Sequence, residues 1–199
     1  MNFLKQPIIL FAVLLCFSCG KPNLAPRDYT DWISNEANGL RVSRVAGNYR
    51  FALQYKPLDY VVLLREKNEK ISRSMIDKDK SEINGMQYYT LSIERIGNAK
   101  TETPELPDLA TYLVDGMQYD LLLADGSDTL PCLLYHYEPG YGVKPADQVL
   151  LGFKSKLING ADTTTKTLIY KNRLSGTGNL YLSISKESIA NIPNLKLND

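Results

Sequence analysis

The side chains able to do covalent or metal chemistry are few: one histidine, His136, and three cysteines, Cys16, Cys19 and Cys132. Cys132 and His136 stand four residues apart, a spacing that invites a thiol–imidazole pair acting as nucleophile and base. On a helix the two would meet, but in a strand four residues at about 3.3 Å each hold them roughly 13 Å apart. Tyr135 and Tyr137 alternate around His136, and Pro139 follows, so the extended reading prevails and the dyad falls. A structural zinc site needs four ligands, which one histidine and one thiol cannot supply. Asp125-Gly126-Ser127-Asp128 offers oxygens but lacks the ligand spacing and closing glutamate of a calcium loop, and reads as a turn. No nucleophile elbow, phosphate loop or dinucleotide fingerprint is present. The sequence therefore nominates no catalytic residue, no metal and no cofactor. Paired carboxylates of the kind that hydrolyse sugars leave no local trace, so a carboxylate-dependent hydrolase stays as a remote alternative.

Recognition chemistry is better represented. Tyr135, His136 and Tyr137 run into Glu138-Pro139-Gly140-Tyr141-Gly142, a loop rich in aromatic rings and in residues that bend the backbone without strain. Tyrosine supplies large contact area with few rotors to freeze, which makes Tyr135, His136, Tyr137 and Tyr141 the candidate binding surface. The plainer reading packs Tyr135 or Tyr137 on the core, with His136 a satisfied edge residue.

Stepping outward, the elements that must hold this loop are strands. Tyr49, Phe51, Leu53 and Tyr55 alternate with polar neighbours, and Gly47-Asn48 suits a hairpin turn back to Arg41–Val45. Further strands are expected around Tyr89–Ile93, Thr129–Tyr137, Val149–Phe153, Thr167–Arg173 and Leu180–Ile184, with Asp125-Gly126 turning the chain before Thr129. Met117–Leu123 fits strand or helix. Helices are expected from Asp28, with Tyr29, Trp32 and Ile33 inward; from Pro57, with Leu64, Ile71 and Met75 on one face; from Pro107-Asp108 to Val114; and near Ser188. The fold class is mainly β with some α: an antiparallel β-sandwich or open barrel with a few peripheral short helices.

The first residues set the compartment. Lys5 precedes an apolar run, Ile8–Phe17, of about ten residues, too short to cross a bilayer and suited to an export signal. At Phe17-Ser18-Cys19-Gly20 the chain resembles the lipobox of bacterial lipoproteins, with Cys16 standing where leucine is usual. The resemblance implies cleavage before Cys19, acylation of its thiol and anchoring by two or three acyl chains. Domain limits follow: a signal over 1–18, a lipidated tether over 19–27 and one β-rich domain over 28–199. Lys5 accounts for one of the 23 basic residues, leaving 22 against 22 acidic, a balance that argues against nucleic acid and against electrostatic membrane binding. With Cys16 removed and Cys19 acylated, Cys132 has no partner and is expected to be buried.

Asn38-Gly39-Leu40, Tyr55-Lys56-Pro57 with Tyr60, and Pro131-Cys132 with Tyr135–Glu138 resemble uncharacterised outer-membrane lipoproteins of Bacteroidota, a family without an assigned activity. Asp128-Thr129-Leu130 and Asp162-Thr163-Thr164 resemble the acceptor of periplasmic O-glycosylation in the same phylum, which makes Thr129 and Thr163 candidate sugar sites. Lys21-Pro22-Asn23 replaces the acidic run found after the cysteine of some surface-exposed members, and favours the periplasmic face of the outer membrane. The expected function is a lipid-anchored, non-enzymatic interaction or structural module whose partner is another envelope protein or a glycan. The alternative is a receptor-like domain for a small molecule or glycan.

Overall fold

The structure is a computed structural model in which residues 21–65, 72–97, 108–155 and 164–197 are described. A first pair of residues, β1 (Asn23–Leu24), leads into α1 (Pro26–Ser34), which begins one turn earlier than Asp28 suggests because Pro26 occupies its first turn. Asp28 sits in that first turn rather than capping it. Gly39 ends the following 3-10 turn, Glu36–Asn38, in the left-handed conformation at φ 73°. Strands β2 (Arg41–Ala46) and β3 (Tyr49–Lys56) then form the expected hairpin around Gly47.

Two helices follow. In α2 (Leu58–Arg65) the buried positions are Tyr60, Val62 and Leu63, and in α3 (Arg73–Ile83) they are Ile76 and Ile83. The face expected from Leu64, Ile71 and Met75 is not the one used: Leu64 is exposed, Met75 is half-buried, and Ile71 lies outside the described residues. The reason is that Leu58–Arg65 is apolar nearly all round, so periodicity alone cannot choose its inner face. Ser72 caps α3 by accepting the amide of Met75.

Strand β4 (Met86–Arg95) is followed by α4 (Leu109–Val114), capped by Asp108, and by a 3-10 turn, Gly116–Asp120. The ambiguous stretch resolves here, with its second part forming β5 (Leu121–Asp125). Then come β6 (Asp128–Pro131), β7 (Leu134–Glu138), β8 (Asp147–Lys154), β9 (Lys166–Asn172), β10 (Gly178–Ile184), α5 (Lys186–Ala190) and β11 (Asn194–Leu195). The run expected as one strand, Thr129–Tyr137, is two. Pro131 cannot donate to a ladder, and at Cys132-Leu133 the chain leaves one sheet for the other, with the Leu133 amide donating to Gly152.

The strands form two antiparallel sheets, β2-β3-β4-β8-β7 and β10-β9-β5-β6, and neither closes into a barrel. Each presents alternate residues inward: Phe51, Leu53, Tyr89, Leu91, Val149, Leu151 and Phe153 from the first, and Leu121, Leu123, Leu168, Tyr170, Leu182 and Ile184 from the second. Phe51 meets Tyr170 across the gap, ring centres 5.7 Å apart, and Tyr89 lies edge-on to Phe153 at 5.8 Å. Burying each such side chain contributes about 1.5–3 kcal/mol. Trp32 packs half-buried against this core, as the helical spacing implies. A separate parallel pair joins β1 to β11, so the two ends of the described chain meet.

Candidate functional site

The loop between β7 and β8 is built around Asp147. Its Oδ1 accepts the Gly140 amide at 2.7 Å and its Oδ2 accepts the Tyr137 hydroxyl at 2.8 Å, which fixes both ends of the loop to one carboxylate. The amides of Val143 and Lys144 donate to the Gly140 carbonyl, folding the chain back on itself. Gly140 is required there, because a Cβ would lie 2.9 Å from the Lys144 carbonyl and 3.1 Å from that of Ala146. Tyr141, at φ 47°, is held in the left-handed region that side-chain-bearing residues avoid. Strain of this kind persists only where surrounding bonds over-determine it. The outcome is two apolar side chains on a braced turn facing water, Tyr141 at 86% and Val143 at 89% exposure.

The four residues of the candidate surface divide between two roles. Tyr135 turns inward, its hydroxyl donating to the Leu113 carbonyl of α4, and burial pushes that phenol well above its usual range. Tyr137 is half-buried and acts as the brace described above; burial first, then the Asp147 carboxylate, raises its phenol. His136 points to the outer face, exposed, with Nε2 3.8 Å from Glu138 Oε1. Tyr141 and His136 are therefore the members available to a partner, and Val143 joins them. Val143 was not signalled by the sequence, since an isolated valine between Gly142 and Lys144 has no pattern to reveal it.

The same loop borders a concavity of about 260 Å³ on the outer face of the five-stranded sheet. Register makes its floor. Ser43, Ala52, Ser92 and Gln148 stand opposite one another across β2, β3, β4 and β8, and Ala52 and Ser92 are short enough to leave a hollow. The Ser92 hydroxyl donates to Gln148 Oε1 at 3.0 Å. Arg41, Arg50 and Lys144 line it with Glu94. Arg50 Nη1 lies 2.7 Å from Glu94 Oε2, its cross-strand partner. Arg41 Nε is 3.0 Å from Glu36 Oε1, so this guanidinium too is paired with a carboxylate.

A larger hollow, about 430 Å³, lies beside the β1–β11 pair and is lined by Tyr29, Asp59, Arg73 and Leu195 among others. Lys21 also lines it, and its two other charged groups are engaged: Lys80 Nζ is 3.0 Å from Asp59 Oδ1, and Arg73 Nη2 donates to the Leu195 carbonyl at 3.3 Å. Burial, with the Asp59 carboxylate nearby, pushes the Tyr29 phenol far up. Among the described residues each of these hollows has a single carboxylate in its lining, Glu94 in one and Asp59 in the other.

Two buried polar clusters escape sequence reasoning. Asp125 and Lys166, 6% and 3% exposed, face each other 2.5 Å apart between the sheets. Gln87 Nε2 reaches Asp125 Oδ2 at 3.0 Å, Tyr89 donates to Gln87 Oε1 at 2.7 Å, and Thr164 donates to Asp125 Oδ1. Burial alone would raise the Asp125 carboxyl; hydrogen bonds from Lys166, Thr164 and Gln87 outweigh it and hold the group below its usual range. In the second cluster Arg173 Nε lies 2.7 Å from Asp120 Oδ2, which also accepts Tyr112, and Tyr112 meets the Tyr170 hydroxyl at 3.1 Å. Burial pushes the Tyr170 phenol up to about 12. Asp125 looks fully explained as a turn residue, and no spacing rule couples it to Lys166.

Cys132 is buried at the sheet-to-sheet crossing, its Sγ donating to the Leu134 carbonyl at 3.1 Å, and burial pushes the thiol up to about 11. A thiol so protonated is a core group, not a nucleophile. Among the described residues no group of three or more histidine, cysteine, aspartate or glutamate side chains is placed to hold a metal. Thr129 is exposed on the edge strand β6; Thr163 and Cys19 lie outside the described residues. The fold and site together define a mainly antiparallel two-sheet protein with a braced, outward-facing loop. Comparison with protein-family models, curated proteins and solved structures finds no match to this chain.

Proposed function

We propose that the chain is a lipid-anchored lipoprotein of the cell envelope, a non-enzymatic interaction module at the periplasmic face of the outer membrane. In this reading it docks another envelope component through the face bearing His136, Tyr141 and Val143. One observation carries it: a loop pinned at both ends by Asp147 holds Tyr141 in a strained conformation and spends that constraint on keeping two apolar side chains in water. Preorganised aromatic anchors of this kind give affinity because little freedom is lost on contact. The export signal and the Ser18-Cys19 junction support the location. Among the described residues no helix is long and apolar enough to cross a membrane. The receptor-like alternative draws on the basic hollow beside the loop.

The test is recovery of partners from native membranes with the wild-type chain and with the Tyr141→Ala, His136→Ala double variant. Truncating an interface anchor costs about 2 kcal/mol or more, an affinity loss of about 30-fold, so the partner should drop out while the melting temperature holds. Unchanged recovery at an unchanged melting temperature removes this face. Cys19→Ala should shift the protein to the soluble fraction and abolish fatty-acid labelling.

A further inference from the structure

We propose that the hollow between Arg41, Arg50 and Lys144 binds a sugar ring carrying a single carboxylate, one residue of an acidic polysaccharide. The inference rests on the reading of this side of the molecule as its binding face and names the ligand class. Charge comes first. Basic and acidic residues nearly balance over the chain, yet three cations and one carboxylate line this one hollow. Glu94 offsets Arg50 and Glu36 offsets Arg41, and among the described residues no carboxylate pairs with Lys144. One uncompensated positive charge calls for one negative charge. A phosphate dianion would set two negative charges beside Glu94, and like-charge repulsion would work against it. A monoanion fits the arithmetic.

The neutral groups point the same way. Gln148 and Ser92 form a hydrogen-bonding floor, and the guanidinium groups of Arg41 and Arg50 line the hollow beside it. Hydroxyl and ring oxygens would be acceptors for the arginine N–H groups that Glu36 and Glu94 leave unused. The hollow, about 260 Å³, is smaller than a typical drug-sized pocket and opens along the outer sheet face, which suits one ring of a longer chain rather than an enclosed metabolite. Ala52 and Ser92 are buried at the floor, and a long side chain at either position would fill the hollow.

The experiment is calorimetric titration of the full-length, detergent-solubilised protein with trimers of galacturonate and of mannuronate. A neutral galactose trimer and inorganic phosphate serve as the discriminating probes. At least one uronate trimer should bind with a dissociation constant below about 1 mM, with the neutral trimer about tenfold weaker or worse, and phosphate should neither bind there nor compete. Lys144→Gln should weaken uronate binding about fivefold or more, as should Arg50→Gln. Lys144 is exposed, so its variant tests the site without risk to the fold. No heat from either uronate trimer, equal binding of the neutral trimer, preferred binding of phosphate, or wild-type affinity in Lys144→Gln would each overturn the proposal. If the uronates fail while the Tyr141, His136 double variant still loses its partner, only the sugar assignment falls. If that variant keeps its partner too, the binding face falls with it.

Discussion

Replacing Lys166 by methionine removes one charge from the space between the sheets and leaves Asp125 there with Gln87 and Thr164. Lys166 and Asp125 are 3% and 6% exposed, so water cannot take over for the missing ammonium. Breaking a buried pair in this way costs about 3–5 kcal/mol, because the surviving carboxylate must be protonated or stay uncompensated. At a urea slope of about 2 kcal/mol/M, a loss near 4 kcal/mol moves the midpoint down by about 2 M. The double variant Asp125→Leu, Lys166→Met should recover most of that, since both charges go together. Acid adds a sign. Asp125 is held below its usual range in the folded protein, so the unfolded chain takes up its proton first; the stability it contributes is complete above about pH 5 and fades as pH falls through its depressed value. In the Lys166→Met variant burial dominates and raises the same carboxyl, so the gap between variant and wild type should narrow in acid. Urea melts monitored by tyrosine and tryptophan fluorescence at pH 7 and near pH 4 measure all of this. A midpoint shift under about 0.3 M for Lys166→Met, or a double variant as unstable as the single, would refute the reasoning.

Asp147→Ala should cut both bonds that pin the β7–β8 loop while sparing the core, costing about 1–3 kcal/mol and speeding proteolysis between Pro139 and Ala146; a loop as resistant as wild type would show that Asp147 is not the brace. The Cys132 thiol should react with maleimide only after denaturation, and rapid labelling of the folded protein would contradict its burial. Deleting Asn194–Asp199 should lower stability by removing the Asn194 and Lys196 amides that donate to the Pro22 and Leu24 carbonyls, read as faster proteolysis ahead of Pro26; unchanged resistance there would mean that the pairing is not what holds that segment.

Strands are legible in this sequence where one face is buried and the other wet. Tyr49–Tyr55, Tyr89–Ile93, Val149–Phe153 and Leu180–Ile184 alternate because the sheets do, and each emerges in the structure. Legibility stops where a decision is made by distant residues. Nothing local tells Pro131–Leu133 that the chain must change sheets, nor tells Leu58–Arg65 which of its apolar sides meets the core. The same holds for chemistry. Tyr141 is visible from its neighbours, since Gly140 and Gly142 announce a sharp bend. Arg41, Arg50 and Lys144 share a hollow only through cross-strand register and the folding back of a loop, and Lys166, a charge by type, is buried only because Asp125 is there to receive it.

The parallel pairing of β1 with β11 makes the protein a closed circuit whose fastening lies beside the proposed anchor. With Asn23 fastened, a lipid at Cys19, as proposed, would be separated from the fold by only four residues, Cys19 to Pro22, a reach of about 14 Å at most. Released, the leash would take in the seven residues from Cys19 to Ala25, and the reach would grow to about 25 Å. On the proposed reading, the β1–β11 pairing would thus set how far the face bearing His136 and Tyr141 can stand from the bilayer.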